Sequence, residues 1–141
     1  MASTIQGMAR SHLALVTLAL ALAGCTDRLG PFDVAGTYIL QSVNGAPVPL
    51  PGIQTQASGA LTLTATGFVE RRVSYTIDGQ GTLQEFVATG TFQLTDAGLR
   101  LALHQGASLW TPTADLVGAT ITLQYPSPAD GPDIVELYRL R

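Results

Sequence analysis

Cysteine is almost missing from this chain. Cys25 is the one cysteine in 141 residues, so the chain can close no disulfide on itself and can build no cysteine-based metal centre. Histidine is nearly as scarce, with His12 and His104 far apart, and a metal ion needs several suitable ligands brought together. Lysine is absent. All seven basic residues are arginines, set against ten acids for a formal net charge of −3. That balance excludes the clustered basic face of a nucleic-acid binder and the polybasic stretch that recognises anionic lipid. The serines Ser74, Ser108 and Ser127 lack the glycine-framed turn that exposes a nucleophile. A membrane-spanning helix needs roughly 20 apolar residues, and the apolar run from Leu13 to Leu22 supplies only about half of that.

What the N-terminus does contain is ordered. Arg10 and His12 make a short basic segment, Leu13 to Leu22 an apolar one, and Ala23-Gly24 a small-residue step before Cys25. This is the sequence of parts in a secretory signal, with Met8 a second candidate start. Leu22-Ala23-Gly24-Cys25 resembles the lipobox of bacterial lipoproteins. The resemblance implies a signal peptide over residues 1–24, cleavage before Cys25, and lipid such as palmitate on the Cys25 sulfur and amine. Two or more acyl chains make such attachment durable where one does not. Thr26 rather than aspartate follows the cysteine, which in that family implies the outer membrane, facing the periplasm. Removing 24 of the 141 residues leaves 117, with six arginines against ten acids, enough for one domain with a core of its own.

Residues 25–33 form a short polar tether, and the texture changes at Val34. From there, runs rich in Thr, Val, Leu and aromatics alternate with Gly, Pro and Asp punctuation, the pattern of strands and turns. Gly36 to Val43 has apolar residues on both faces, as a strand buried on two sides would. Asn44-Gly45 breaks it, and Ala46 to Ser58, with Pro47, Pro49 and Pro51, forms a long candidate lid loop. Leu61 and Leu63 alternate with Thr62 and Thr64. Val69, Val73, Tyr75 and Ile77 share one face of the next run, where Arg71 is the exception, and Asp78-Gly79 is a hairpin signal. Phe86, Ala88, Gly90, Phe92 and Leu94 line one face of a long run in which Gly90 marks a bend or bulge. Leu99, Leu101 and Leu103 follow, then a weaker segment through Leu109, Trp110 and Ala114 to Val117. Ile121, Leu123 and Tyr125 alternate in the next run, and Asp133 to Arg141 forms the last strand. About eight antiparallel strands spaced some ten residues apart predict an all-β, up-and-down barrel over residues 34–141 whose last strand pairs with its first, leaving no open edge.

Gly36-Thr37-Tyr38 on the first strand, the long loop after it, and the Gly90-Thr91-Phe92 and Gly98-Leu99-Arg100-Leu101 phrases resemble the lipocalin-like, or calycin-like, barrels. Tyr38 stands where that family carries tryptophan, and neither a helix before the last strand nor a disulfide is present. The resemblance implies that Arg139 packs over Tyr38 and that the barrel holds one small ligand or is filled by its own side chains.

Candidate site residues follow from these faces. Tyr38, Arg71, Tyr75, Phe86, Phe92 and Trp110 are candidates to line a pocket for a small hydrophobic or amphipathic ligand, and equally candidates for plain core. Arg71 must snorkel to a barrel end, pair with a buried acid, or meet an anionic head group, because an unpaired buried charge is very costly. Glu70, Glu85, Asp115, Asp133 and Glu136 show no spacing that singles out a catalytic pair and read as solvated. His104 reads as a surface or strand-end residue. The expectation is a non-enzymatic lipoprotein without catalytic residues, metal or cofactor, bound to a membrane through its lipid and not to nucleic acid. It either carries a small apolar ligand or, with a filled barrel, meets an envelope protein partner.

Overall fold

A computed structural model of the chain describes residues 30–48, 57–76, 83–127 and 130–141. Cys25, the proposed leader, Ile77, the Asp78-Gly79 turn and the middle of the proline-rich loop lie outside the described residues. A 3-10 turn at Pro31–Val34 leads into β1 (Gly36–Val43), β2 (Ala46–Pro47), β3 (Ala57–Leu63), β4 (Phe68–Thr76), β5 (Leu83–Thr95), β6 (Gly98–Gln105), β7 (Ser108–Trp110), β8 (Thr113–Val117), β9 (Thr120–Tyr125) and β10 (Ile134–Leu140). Neighbours pair antiparallel in chain order, and β10 pairs with β1. The sheet therefore closes into an eight-stave barrel, as expected. The count of ten strands arises because β7 and β8 share one stave beside β6, while β2 is a short arm on β1. The stave breaks at Thr111-Pro112, where proline has no N–H to give a ladder.

Alternation fixes what fills the barrel. Tyr38, Leu40, Leu61, Leu63, Val69, Val73, Ala88, Phe92, Leu99, Leu101, Leu103, Ile121, Leu123 and Tyr138 are all buried, and they occupy the inward phase of their strands. Strand β1 departs from expectation: Thr37 and Gln41 are exposed and Ile39 only half-buried. Its partners β3 and β10 cover its edges, not its outer face. Asn44 and Gly45 both take positive φ, 50° and 78°, the two-residue hairpin turn that Asn-Gly favours. The Asn44 side chain accepts from Val135 N–H at 2.7 Å and ties that hairpin to β10.

The barrel has two distinct ends. At the lower end stand Gly36, the Thr64–Gly67, Asp96-Ala97 and Gly118-Ala119 turns, and Leu140. The upper end gathers the β1–β2 and β6–β7 connections, the end of β4 and the starts of β5 and β10. The 3-10 turn closes the lower end, with Val34 buried in the core and its carbonyl accepting from the Tyr38 hydroxyl at 2.9 Å. Arg139 does not pack over Tyr38. It sits opposite Ile39 on the ladder, so alternation turns its side chain to the exterior, where it is exposed, while Tyr38 faces inward.

Gly90 is not a bulge, since the ladders to β4 and β6 continue in register through it. It is a close approach: a Cβ at Gly90 would lie 1.8 Å from the Ala102 carbonyl oxygen and 2.9 Å from its carbon. Backbone, not a flexible side chain, would have to move. The Gly90→Ala variant should therefore lose about 3 kcal/mol of stability. Urea denaturation should show a lower midpoint at unchanged slope, and an unshifted midpoint would contradict this packing.

Candidate functional site

Polar side chains converge inside the upper half of the barrel. Arg71 on β4 and Glu136 on β10 are 4% and 0% exposed, and β1 and β3 separate their strands in the closed sheet, so their pairing crosses the lumen. The Arg71 guanidinium engages both carboxylate oxygens, with Nε donating to Oε2 at 2.9 Å and Nη2 donating to Oε1. Three hydroxyls complete the shell. Tyr75 and Tyr125 each donate to Oε1 at 2.8 Å, and Tyr138 donates to Oε2 at 2.7 Å. Arg71 Nη2 also reaches the Tyr125 hydroxyl at 3.0 Å. The guanidinium lies 5.5 Å from the Trp110 ring centroid and 5.6 Å from that of Tyr125, within cation–π range.

Local sequence accounts for each placement. Arg71 shares its phase with Val69, Val73 and Tyr75, and Glu136 shares its phase with Tyr138. Trp110 stands opposite Leu103 and meets the Tyr125 ring edge-on at 5.1 Å. Phe86 packs against Tyr75 at 6.0 Å. The Trp110 indole N–H is buried with no hydrogen-bond acceptor.

Burial is the largest single influence on Arg71 and opposes its charge, but the hydrogen bond to Glu136 together with attraction to Tyr138, Glu136 and Tyr125 outweighs it and raises the pKa. Burial likewise opposes the Glu136 charge, yet the Arg71 hydrogen bond and charge hold its carboxyl below the usual 4.5. Burial is the main cause that pushes Tyr75 up to about 12, with the carboxylate adding to it. Tyr125 and Tyr138 are also raised, chiefly by burial, against the pull of Arg71. Tyr38 is raised by burial. Five hydrogen bonds converge on one carboxylate, whose two oxygens offer about four acceptor positions. Such a group has no spare capacity to take a proton from a substrate. Its chemistry is that of a charged staple.

No known protein family, curated protein or solved structure matches this chain.

Of the six residues expected to line a pocket, Arg71, Tyr75 and Trp110 meet in this cluster and Phe86 flanks it. Tyr38 and Phe92 stand apart in the lower core, 2% and 3% exposed. Glu136 overturns the reading of a solvated acid: it is the most enclosed charge among the described residues and the partner that Arg71 requires. Tyr125, expected only as an inward strand residue, and Tyr138 join the site as well. The signal was available in Glu136-Leu137-Tyr138, which sets an acid on the same face as an inward aromatic in the last strand. Among the described residues no group of His, Cys, Asp and Glu could hold a metal ion. A separate groove of about 570 Å³ lies on the outer wall beside the Thr111-Pro112 break, lined by Thr91, Gln93, Arg100, Ala102 and Asp115, away from the staple.

Removing one member of the staple strands the other in the core. Arg71→Met or Glu136→Leu alone should cost roughly 3–5 kcal/mol, whereas the double variant should recover most of that loss. Chemical denaturation of the three variants tests this, and additive losses would show that the two groups are not coupled.

Alkaline pH offers a second test. A tyrosine whose folded pKa is raised adds stability that is intact below its ordinary value of 10 and is lost as pH climbs through the folded value, about 12 for Tyr75. All four tyrosines are raised. Tyrosinate absorbance should therefore stay flat through pH 10 and rise only together with loss of the β-sheet circular dichroism. Ordinary titration of even one tyrosine in the folded protein would contradict the arrangement.

Proposed function

We propose that this chain is a lipid-anchored protein of the bacterial cell envelope. Cys25 carries the lipid and holds it at the outer membrane facing the periplasm, and its lipocalin-like barrel is a filled, non-enzymatic scaffold that works through a protein partner. The observation that carries the filled-barrel reading is the staple: Arg71 and Glu136 span the lumen with three tyrosine hydroxyls around them. Below it the lumen is occupied by aliphatic and aromatic side chains with almost no exposure. An eight-stranded barrel has about enough width for such side chains and little more. Cleavage and lipidation rest on the Leu22-Ala23-Gly24-Cys25 motif.

A second reading is favoured by Trp110. Its buried, unpartnered indole N–H, beside Tyr125 and the Arg71 guanidinium, suits one acceptor atom of a small amphipathic ligand at the upper mouth, since buried donors are rarely left orphaned. Native mass spectrometry of residues 26–141, produced in the periplasm and offered an envelope lipid extract, separates the two. The filled scaffold predicts a clean polypeptide mass. Retained extra mass, lost on unfolding and abolished by Trp110→Phe, would establish the small-ligand reading in its place. The anchor is tested on the full chain: intact mass should show added acyl groups on wild type and none on Cys25→Ser.

A further inference from the structure

The chain leaves the barrel at a definite end. The 3-10 turn at Pro31–Val34 and the start of β1 both lie at the lower end, so Gly30 marks where the tether departs. Five residue-to-residue steps lead from it back to Cys25, and a fully extended chain gains at most about 3.6 Å per step. A lipid on Cys25 therefore holds the lower rim within about 18 Å of the bilayer surface. This step rests on the anchor proposed above.

That same rim is apolar where a water-facing rim has no need to be. Phe68 at the start of β4 is 42% exposed, Val117 at the end of β8 is 77% exposed, and Leu140 at the end of β10 is 41% exposed. They come from three separated staves, so they form a ring around the lower end and not a spot on one side. Leu140 lies over Gly36, where an added Cβ would fall 2.6 Å from its Cδ1, beside the point at which the tether enters. Among the described residues, the remaining large exposed apolar side chains are Leu109 on the upper rim and Val87 on the side wall.

Charge divides the same way. Among the described residues, the exposed charges of the lower end balance, Arg100, Arg139 and Arg141 against Asp33, Asp96 and Asp115. The upper part carries exposed Glu85, Asp130 and Asp133, with Arg72 the exposed base, already engaged by Glu70 and Glu85. An anionic bilayer repels the acidic end and accepts the neutral, apolar one.

We propose that the lower rim, through Phe68, Val117 and Leu140 with Arg139 and Arg141 beside them, is a membrane-docking surface seated in the interfacial region of the bilayer that holds the Cys25 lipid. The barrel then stands on its lower end, with the aromatic upper mouth pointing away from the membrane. Shallow burial of a few apolar side chains is weak alone, but the tether confines the rim at high local concentration, so little affinity is needed to fix orientation.

Because lipid occupies the Cys25 thiol, a cysteine introduced elsewhere is the one free thiol of the full lipidated chain. Val117→Cys and Leu109→Cys, both at exposed positions where substitution changes stability little, can each carry an environment-sensitive fluorophore. They are reconstituted into vesicles of phosphatidylethanolamine and phosphatidylglycerol containing a brominated-chain quencher. The label at 117 should shift to the blue and be quenched several-fold more than the label at 109. Phe68→Cys and Leu140→Cys should follow 117. Equal quenching at 117 and 109 in chains that float with the vesicles overturns the docking surface and leaves the anchor standing. Chains that fail to float, and match Cys25→Ser in doing so, overturn the anchor and the docking surface together. Shielding at 117 that tracks protein concentration and ignores the lipid quencher assigns the rim to a second copy of the chain and overturns the proposal as well.

Discussion

A buried charge pair sets the terms for this barrel. Placing an arginine and a glutamate in a lumen about as wide as the side chains that fill it costs several kcal/mol per ion unless hydrogen bonds replace the lost water, and the surrounding strands are arranged to provide them. Tyr75 arrives from the pair's own strand β4, Tyr125 from β9 and Tyr138 from β10, each with its hydroxyl on the carboxylate. Trp110 and Tyr125 cover the guanidinium with ring faces. The staple also specifies register, because moving β4 or β10 by one residue would turn Arg71 or Glu136 to the outer wall and leave its partner alone in the interior.

The two halves of the barrel thus do different work. The lower half is an ordinary apolar core, plugged by Val34 and latched by the Tyr38 hydroxyl on that residue's carbonyl. The upper half is polar and aromatic, held by directional bonds that define one arrangement of side chains. A filled lumen held by such bonds suits recognition of a partner through the outer surface better than storage of a bulky apolar molecule.

Much of this was legible in the residues, for a reason that also explains what was not. Strand phase follows from a period of two, so the inward sets Leu61/Leu63, Phe86 to Leu94 and Ile121 to Tyr125 could be read directly, and closure followed from eight staves in chain order. The oddity of Arg71 was visible because a charge interrupted an apolar face. Its partner was not, since pairing across a lumen depends on how far the sheet curls, which the period of two does not encode. Glu136 looked like any other acid near the end of a chain. Arg139 misled in the opposite sense: the resemblance pointed inward, and one step of register sent it out. Gly90 announced an exception to the strand pattern, but only the position of the Ala102 carbonyl distinguishes a close approach from a bulge.

Closure by β10 has a consequence for the order in which the protein can form. The chain is made from its N-terminus, and the last strand to appear supplies both the edge that seals β1 and the counter-charge that Arg71, 65 residues earlier, has been without. Until β10 arrives the nascent sheet has two open edges and an unpaired guanidinium on its inner face, a state that water must enter. The late joining of distant segments is the slow step in β-rich folds. Here it is also the step at which the interior becomes dry, so folding, closure and charge neutralisation fall on one short C-terminal strand.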